Sequence, residues 1–149
     1  MQQERVPIKQ FVKQQYITLS AEWTERNPYM DDPEWERVAA PDHWKVTLRR
    51  RDPETGKRYQ MTTYFSMGVG YGGREPVVEE VLDSLAMDAS GVENARDFED
   101  WASEYGYDTD SRKAERSYRA CQKTAAQLKR FLDDDLYDTL LWHVDTSEY

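Results

Sequence analysis

The stretch from Asn94 to Leu132, NARDFEDWASEYGYDTDSRKAERSYRACQKTAAQLKRFL, constrains this chain more than any other. Phe98, Trp101, Ala102 and Tyr105 fall at i, i+3, i+4 and i+7, the apolar stripe of a short helix. Asn94 is placed to cap it, with Asp97 three residues on in capping-box position and favourable on the N-terminal dipole. Gly106 stands where a left-handed residue ends a helix, and Tyr107 can supply the apolar contact that accompanies such a stop. Asp108 to Ser111 then offers N-cap oxygens to a second, longer helix. Its Ala114, Tyr118, Cys121, Ala125, Leu128 and Leu132 recur at alternating steps of four and three, a seam suited to a core. Both stripes point to one shared interior.

The chain before this stretch alternates instead. Ile17, Leu19, Ala21 and Trp23 face one way and Thr18, Ser20 and Glu22 the other, a half-buried strand over 16–23. Trp44, Val46 and Leu48 alternate with Lys45, Thr47 and Arg49 in a second strand. In a third, Tyr59, Met61, Thr63 and Phe65 alternate with Gln60, Thr62, Tyr64 and Ser66. Asp52-Pro53 and Gly56 supply hairpin chemistry between the last two, with a loop longer than the tight two-residue kind. Arg49, Arg50, Arg51, Lys57 and Arg58 crowd that hairpin end. They suit either a solvated, aggregation-resistant tip or a contact for phosphate or an acidic partner.

Residues 1–13 read as a polar, unpatterned arm. Pro28, Pro33 and Pro41 leave 27–42 no regular element beyond one helical turn near Glu34–Val38. Tyr29 and Trp35 there either cover the sheet or serve as exposed contact anchors. From Pro76, the residues Val77, Val78, Val81, Leu82, Leu85 and Ala86 form a broad apolar helical face that ends at 90–93. Asp133–Asp135 can cap a last helix carrying Leu136, Leu140, Leu141 and Val144, and the tail from Asp145 reads as loose. The prediction is an α+β fold: a three-stranded antiparallel β-meander followed by about four α-helices packed on one sheet face. One domain covers 1–149, with a sheet half at 16–66 and a helical half at 75–144. A chain of 149 residues is long enough to bury about 70% of its unfolded surface.

Charge is distributed in blocks. The total is −9, yet residues 76–111 hold 1 basic against 11 acidic residues, net −10, and 112–130 hold 7 against 1, net +6. Residues 131–149 hold 0 against 6, net −6, and 1–75 hold 12 against 11, net +1. Two acidic zones therefore flank one basic helix, a field that opposes nonspecific nucleic-acid binding and favours basic partner surfaces. The single Cys121 excludes an internal disulfide and, on the apolar seam, reads as an inert buried thiol. No apolar leader and no membrane-length apolar run are present, so the reading is a soluble intracellular protein.

Catalytic patterns do not assemble. His43, His143 and Cys121 are too isolated for zinc, and no cofactor or metal is expected. Asp108-x-Asp110 lacks the further ligands of a calcium loop and the preceding strand of an aspartate phosphotransferase. Gly68-Val69-Gly70-Tyr71-Gly72-Gly73 matches G-x-G-x-x-G literally. However, it follows an antiparallel hairpin and is closed by no second parallel strand, so it reads as a connector. The chain is read as a non-enzyme.

Two charged surfaces are left as candidate sites. Asp97, Glu99, Asp100 and Glu104, continued by Asp108 and Asp110, form an acidic face that can imitate nucleic-acid phosphates toward a basic groove on a partner. Arg112, Arg116, Arg119 and Lys123 recur at four, three and four residues, with Arg130 extending the stripe, and could contact nucleic acid directly. Intramolecular pairing of the two surfaces is the plain alternative.

The run FEDWASEYGYDTDSRKAERSYRACQ, preceded by PVVEEVLDSLAMDASGVENA and YFSMGVGYG, resembles a group of small bacteriophage and prophage proteins. Their pattern is a glycine-rich loop, a helix with Asp-Val-Leu-x-x-Leu-x-x-Asp-Ala, then Phe-Glu-x-Trp and Gly-Tyr-Asp-x-Asp-Ser. The likeness spans about 42–144 and is specific at Phe98, Trp101, Gly106, Tyr107, Asp108, Asp110 and Ser111; Glu80 stands before Val81-Leu82 where the pattern has Asp. The resemblance carries no catalytic residues. It implies a phage-type origin and a place in the host cytoplasm. The expected function is inhibition of a host defence nucleoprotein, in the manner of an anti-CRISPR or anti-restriction protein, through the acidic face. The alternative is a nucleic-acid-binding accessory protein of phage replication using the basic helix 112–130.

Overall fold

The computed structural model describes residues 5–24, 43–66 and 75–145. Over these the chain is α+β, with a three-stranded antiparallel sheet and four helices. In order they are β1 (Val6–Pro7), α1 (Ile8–Gln14), β2 (Thr18–Thr24), β3 (His43–Arg51), β4 (Arg58–Ser66), α2 (Val78–Asn94), α3 (Phe98–Glu104), α4 (Arg112–His143) and β5 (Val144–Asp145). Two compact units result, Val12–Val81 and Met1–Phe11 with Leu82–Tyr149, and their boundaries fall inside α1 and α2.

The first unit is the meander β2-β3-β4. Its register sets Leu19 beside Leu48 and Leu48 beside Met61, with Ala21, Val46 and Thr63 in the next row but one. Period-two alternation then does the sorting: Trp44, Val46, Leu48 and Met61 are buried, while Lys45, Arg49, Gln60, Thr62 and Tyr64 are exposed. Trp23 meets Trp44 edge-on at 5.3 Å across the β2–β3 pair. At the hairpin tip the Asp52 carboxylate accepts from the Glu54 and Thr55 N–H groups at 2.8 and 3.1 Å. Those two bonds lead in holding its pKa below the usual carboxylate value.

The second unit is helical. β1 and β5 pair in parallel, Val6 with Val144 and Pro7 with Asp145, which ties one end of the described chain to the other. Helix α4 buries Ala114, Ala125, Leu128, Phe131, Leu132, Tyr137 and Leu140. The seam at steps of four and three thus forms the interior face. Tyr137, 2% exposed, donates its hydroxyl to Glu93 on α2 at 2.8 Å. Its pKa is pushed up by burial first and by the Glu93 bond second.

Three local expectations need correction and one holds. The supposed arm at 1–13 holds β1 and α1, because Ile8, Phe11 and Val12 at i, i+3 and i+4 are all buried. Helix α2 does not end at 90–93 but runs through Gly91 to Asn94. The expected break before the last helix is present: α4 is two helices that meet at Asp133, whose φ of 70° and ψ of 174° interrupt the ladder. Asp133 Oδ1 still accepts the Leu136 N–H at 3.1 Å, so the expected cap operates inside a one-residue kink. Val144 leaves the helix to pair with Val6. The expectations for 27–42, the glycine run 68–73 and residues 146–149 lie outside the described residues.

Candidate functional site

Helix α3 is only 7 residues long, too short to stand alone, and each of its ends is fixed by a specific device. At the start the cap is Asp97, not Asn94: Asp97 Oδ1 accepts the Asp100 N–H at 2.9 Å. Asp100 reaches back to accept the Arg96 N–H at 3.0 Å, a reciprocal box one residue earlier than the usual pairing. Asn94 is unavailable because it closes α2. At the finish Tyr107 N–H bonds to Ala102 C=O at 2.7 Å and Gly106 N–H to Ser103 C=O at 3.2 Å. That is the Schellman pattern, and it requires the positive φ of 72° that Gly106 adopts.

Rings complete the anchorage. Trp101, 4% exposed, stacks on Tyr107 at 5.4 Å and 9° between planes. It also meets Tyr105 at 5.2 Å and, across to α4, Tyr118 at 5.3 Å, while Phe98 lies 5.4 Å from Tyr118. Such pairs add about 0.5–1.5 kcal/mol each beyond the area they bury. Helix α4 then starts at Ser111, whose Oγ accepts the Ala114 N–H at 3.2 Å.

The six acidic positions divide into two kinds. Asp97, Asp100 and Asp108 hold backbone, Asp108 by accepting the Asp110 N–H at 3.0 Å. Asp100 also pairs with Arg96 at 3.7 Å, an exposed contact of little weight. Glu99, Glu104 and Asp110 are exposed, and among the described residues no salt bridge holds them. Sequence reasoning could not separate these two sets, since capping depends on which carboxylate meets which N–H.

The basic stripe is also at the surface: Arg112, Arg119 and Lys123 are exposed and Arg116 is half-buried. Arg119 faces Glu115 on its own helix at 3.9 Å.

A feature absent from the sequence reading lies beside the acids. A cleft of about 370 Å³ opens where α2 ends against α3, lined by Asn94, Asp100, Glu104 and Tyr105 among others. Gly91 lets the Tyr105 ring lie close over α2, since a Cβ there would fall against the Tyr105 hydroxyl and the ring would have to shift. The signal available was a glycine inside an apolar helical pattern, which marks a close approach. On α4 Cys121 is half-buried, and burial, then Asp88, raise its thiol to about 11. The thiol is therefore held protonated near neutral pH, though it is half-buried and not the fully buried group expected on the seam. Burial likewise raises the Asp88 carboxyl.

Chemically this surface offers oxygen acceptors on a stiff mount. Among the described residues no three His, Cys, Asp or Glu side chains converge on a metal position, and no helix is long and apolar enough to cross a membrane. Comparison with family models, curated proteins and solved structures finds no match.

Proposed function

We propose that this chain works by binding, presenting the acidic surface of α3 to a basic groove on a partner. The observation that supports this reading is the pairing of exposed Glu99, Glu104 and Asp110 with an acid-lined cleft able to admit a guanidinium or ammonium group. Carboxylates on a rigid, double-capped helix lose little entropy on docking, which is what a mimic of the phosphate backbone needs. With the resemblance to phage proteins, the partner is a nucleic-acid-handling complex of host defence. The block of net −10 over 76–111 supplies long-range steering toward it.

The decisive substitutions are those that spare the caps. Glu99→Lys, Glu104→Lys and Asp110→Lys combined should abolish both co-purification with a purified CRISPR or restriction complex and protection of phage in cells carrying that system. Fold retention is checked by circular dichroism. Arg112→Glu, Arg119→Glu and Lys123→Glu combined should leave both intact. If the basic-stripe variant fails and the acidic one does not, the chain acts through nucleic acid instead, and a gel shift that weakens steeply with salt would say so.

A further inference from the structure

Where β2 begins and the β3–β4 hairpin turns, the sheet unit holds a cavity of about 500 Å³. Four arginines line it, Arg49, Arg50, Arg51 and Arg58, together with Tyr16 and Tyr59. The register gathers three of them on the outward face: Arg49 stands in one row with Thr18 and Gln60, and Arg51 with Arg58 two rows of side chains further on, while Arg50 and Tyr59 occupy the inward row between them. Arg50 continues the inward row Trp44, Val46, Leu48 and is only 3% exposed. A guanidinium on a core face is costly to desolvate, and this one has its Cζ over the Tyr59 ring, 3.9 Å from the centroid.

Tyr16 gives a second, independent observation. It occupies the left-handed position at the end of α1, with φ of 53°, and its ring is among the most exposed large apolar groups at 61%. Glycine would fit that backbone without strain, and a bulky residue does not. Strain held at the rim of a cavity, with an aromatic ring as its product, points to a use for the ring.

We propose that this cavity binds a nucleoside phosphate. Guanidinium forks match phosphate oxygens in pairs, and tyrosine faces stack bases without regard to sequence. Thr18 and Gln60, at the same cavity, add a hydroxyl and an amide for the sugar or the base edge. The volume lies within the range of small-ligand sites. Net charge of −9 selects a free nucleotide over a strand: fields are screened beyond about 8 Å, so a mononucleotide senses the arginines while a long polyanion also meets the acidic regions. The inference is independent of the acidic α3 surface.

Thermal shift and titration calorimetry on the full chain at low salt test it, with ADP, GDP, CDP, UDP, inorganic pyrophosphate and a 5′-phosphorylated oligothymidylate as probes. At least one nucleoside diphosphate should bind tighter than about 1 mM and raise Tm. Pyrophosphate, which cannot stack, should bind about tenfold or more weakly than that nucleotide. Arg49→Ala and Arg58→Ala, both at exposed positions, should each weaken binding about tenfold with an unchanged circular dichroism spectrum. Tyr16→Gly should weaken nucleotide binding while raising the Tm of the unliganded protein. The proposal is overturned by absence of binding for all four diphosphates, by pyrophosphate binding as well as they do, or by an oligothymidylate that binds about tenfold tighter. Retention of full affinity in Arg49→Ala, Arg58→Ala and Tyr16→Gly also ends it.

Discussion

Helices α1 and α3 end in the same hydrogen-bond pattern with different residues at the left-handed position. In α3 the bonds run from Tyr107 to Ala102 and from Gly106 to Ser103; in α1 they run from Ile17 to Val12 at 3.0 Å and from Tyr16 to Lys13 at 3.3 Å. Gly106 takes φ of 72° freely, whereas Tyr16 takes 53° against a penalty of about 1–2 kcal/mol for a residue with a Cβ. The residue after the stop differs too: Ile17 is buried at 5% exposure, while Tyr107 is 37% exposed and stacked on Trp101. The main difference lies in the left-handed residue itself. At α3 that position serves only the turn, and at α1 it also carries a ring to the rim of an arginine-lined cavity.

The largest effect should come from removing what the α3 stop leans on. Trp101→Ala deletes the ring shared by Tyr105, Tyr107 and Tyr118 and should cost about 3–5 kcal/mol in urea unfolding. A loss below about 1 kcal/mol would mean the aromatic group does not anchor the helix. Next is the backbone itself. A Cβ at Gly106 meets nothing within 4 Å, so Gly106→Ala should cost about 1–2 kcal/mol through φ alone. Tyr16→Gly is the mirror experiment, and strain relief less the added freedom of the unfolded chain should leave a gain of about 0.5–1 kcal/mol. Equal signs for the two substitutions would break the comparison.

The same contrast shows what was legible in the residues. Gly106, Tyr107 and Ser111 could be placed from chemistry, because a glycine stop and a serine cap each act within a few residues. Strand alternation was legible for the same reason: Val46 and Leu48 face inward in any register that buries one face. Helix α1 was also visible in principle, yet Ile8, Phe11 and Val12 were diluted by glutamines and lysines over residues 1–13. Asp97 and Asn94 were both plausible caps, and only the length of α2 decides between them. The arginine cluster at the hairpin end was legible too, as a possible phosphate contact, but the cavity that Tyr16 completes was not. Arg49 and Arg58 share one hairpin, whereas Tyr16 sits at the end of α1, and only the pairing of β2 with β3 brings it to the same cavity.

Gly91 sharpens the comparison at its smallest scale. Its backbone is helical, so neither a turn nor a left-handed φ demands glycine, and alanine should gain about 1 kcal/mol of helix propensity there. What opposes alanine is the Tyr105 ring, which stands where the new methyl group would go. That ring is 51% exposed and can swing outward, giving up its 5.2 Å contact with Trp101. The two effects are of similar size, so Gly91→Ala alone should change stability by less than about 0.5 kcal/mol. In a Tyr105→Ala background the opposition is gone and the full gain of about 1 kcal/mol should appear. A double-mutant cycle in urea measures the difference directly. Zero coupling would show that the ring does not depend on this glycine, and the cleft beside Glu104 would then owe its shape to the chain path between α2 and α3.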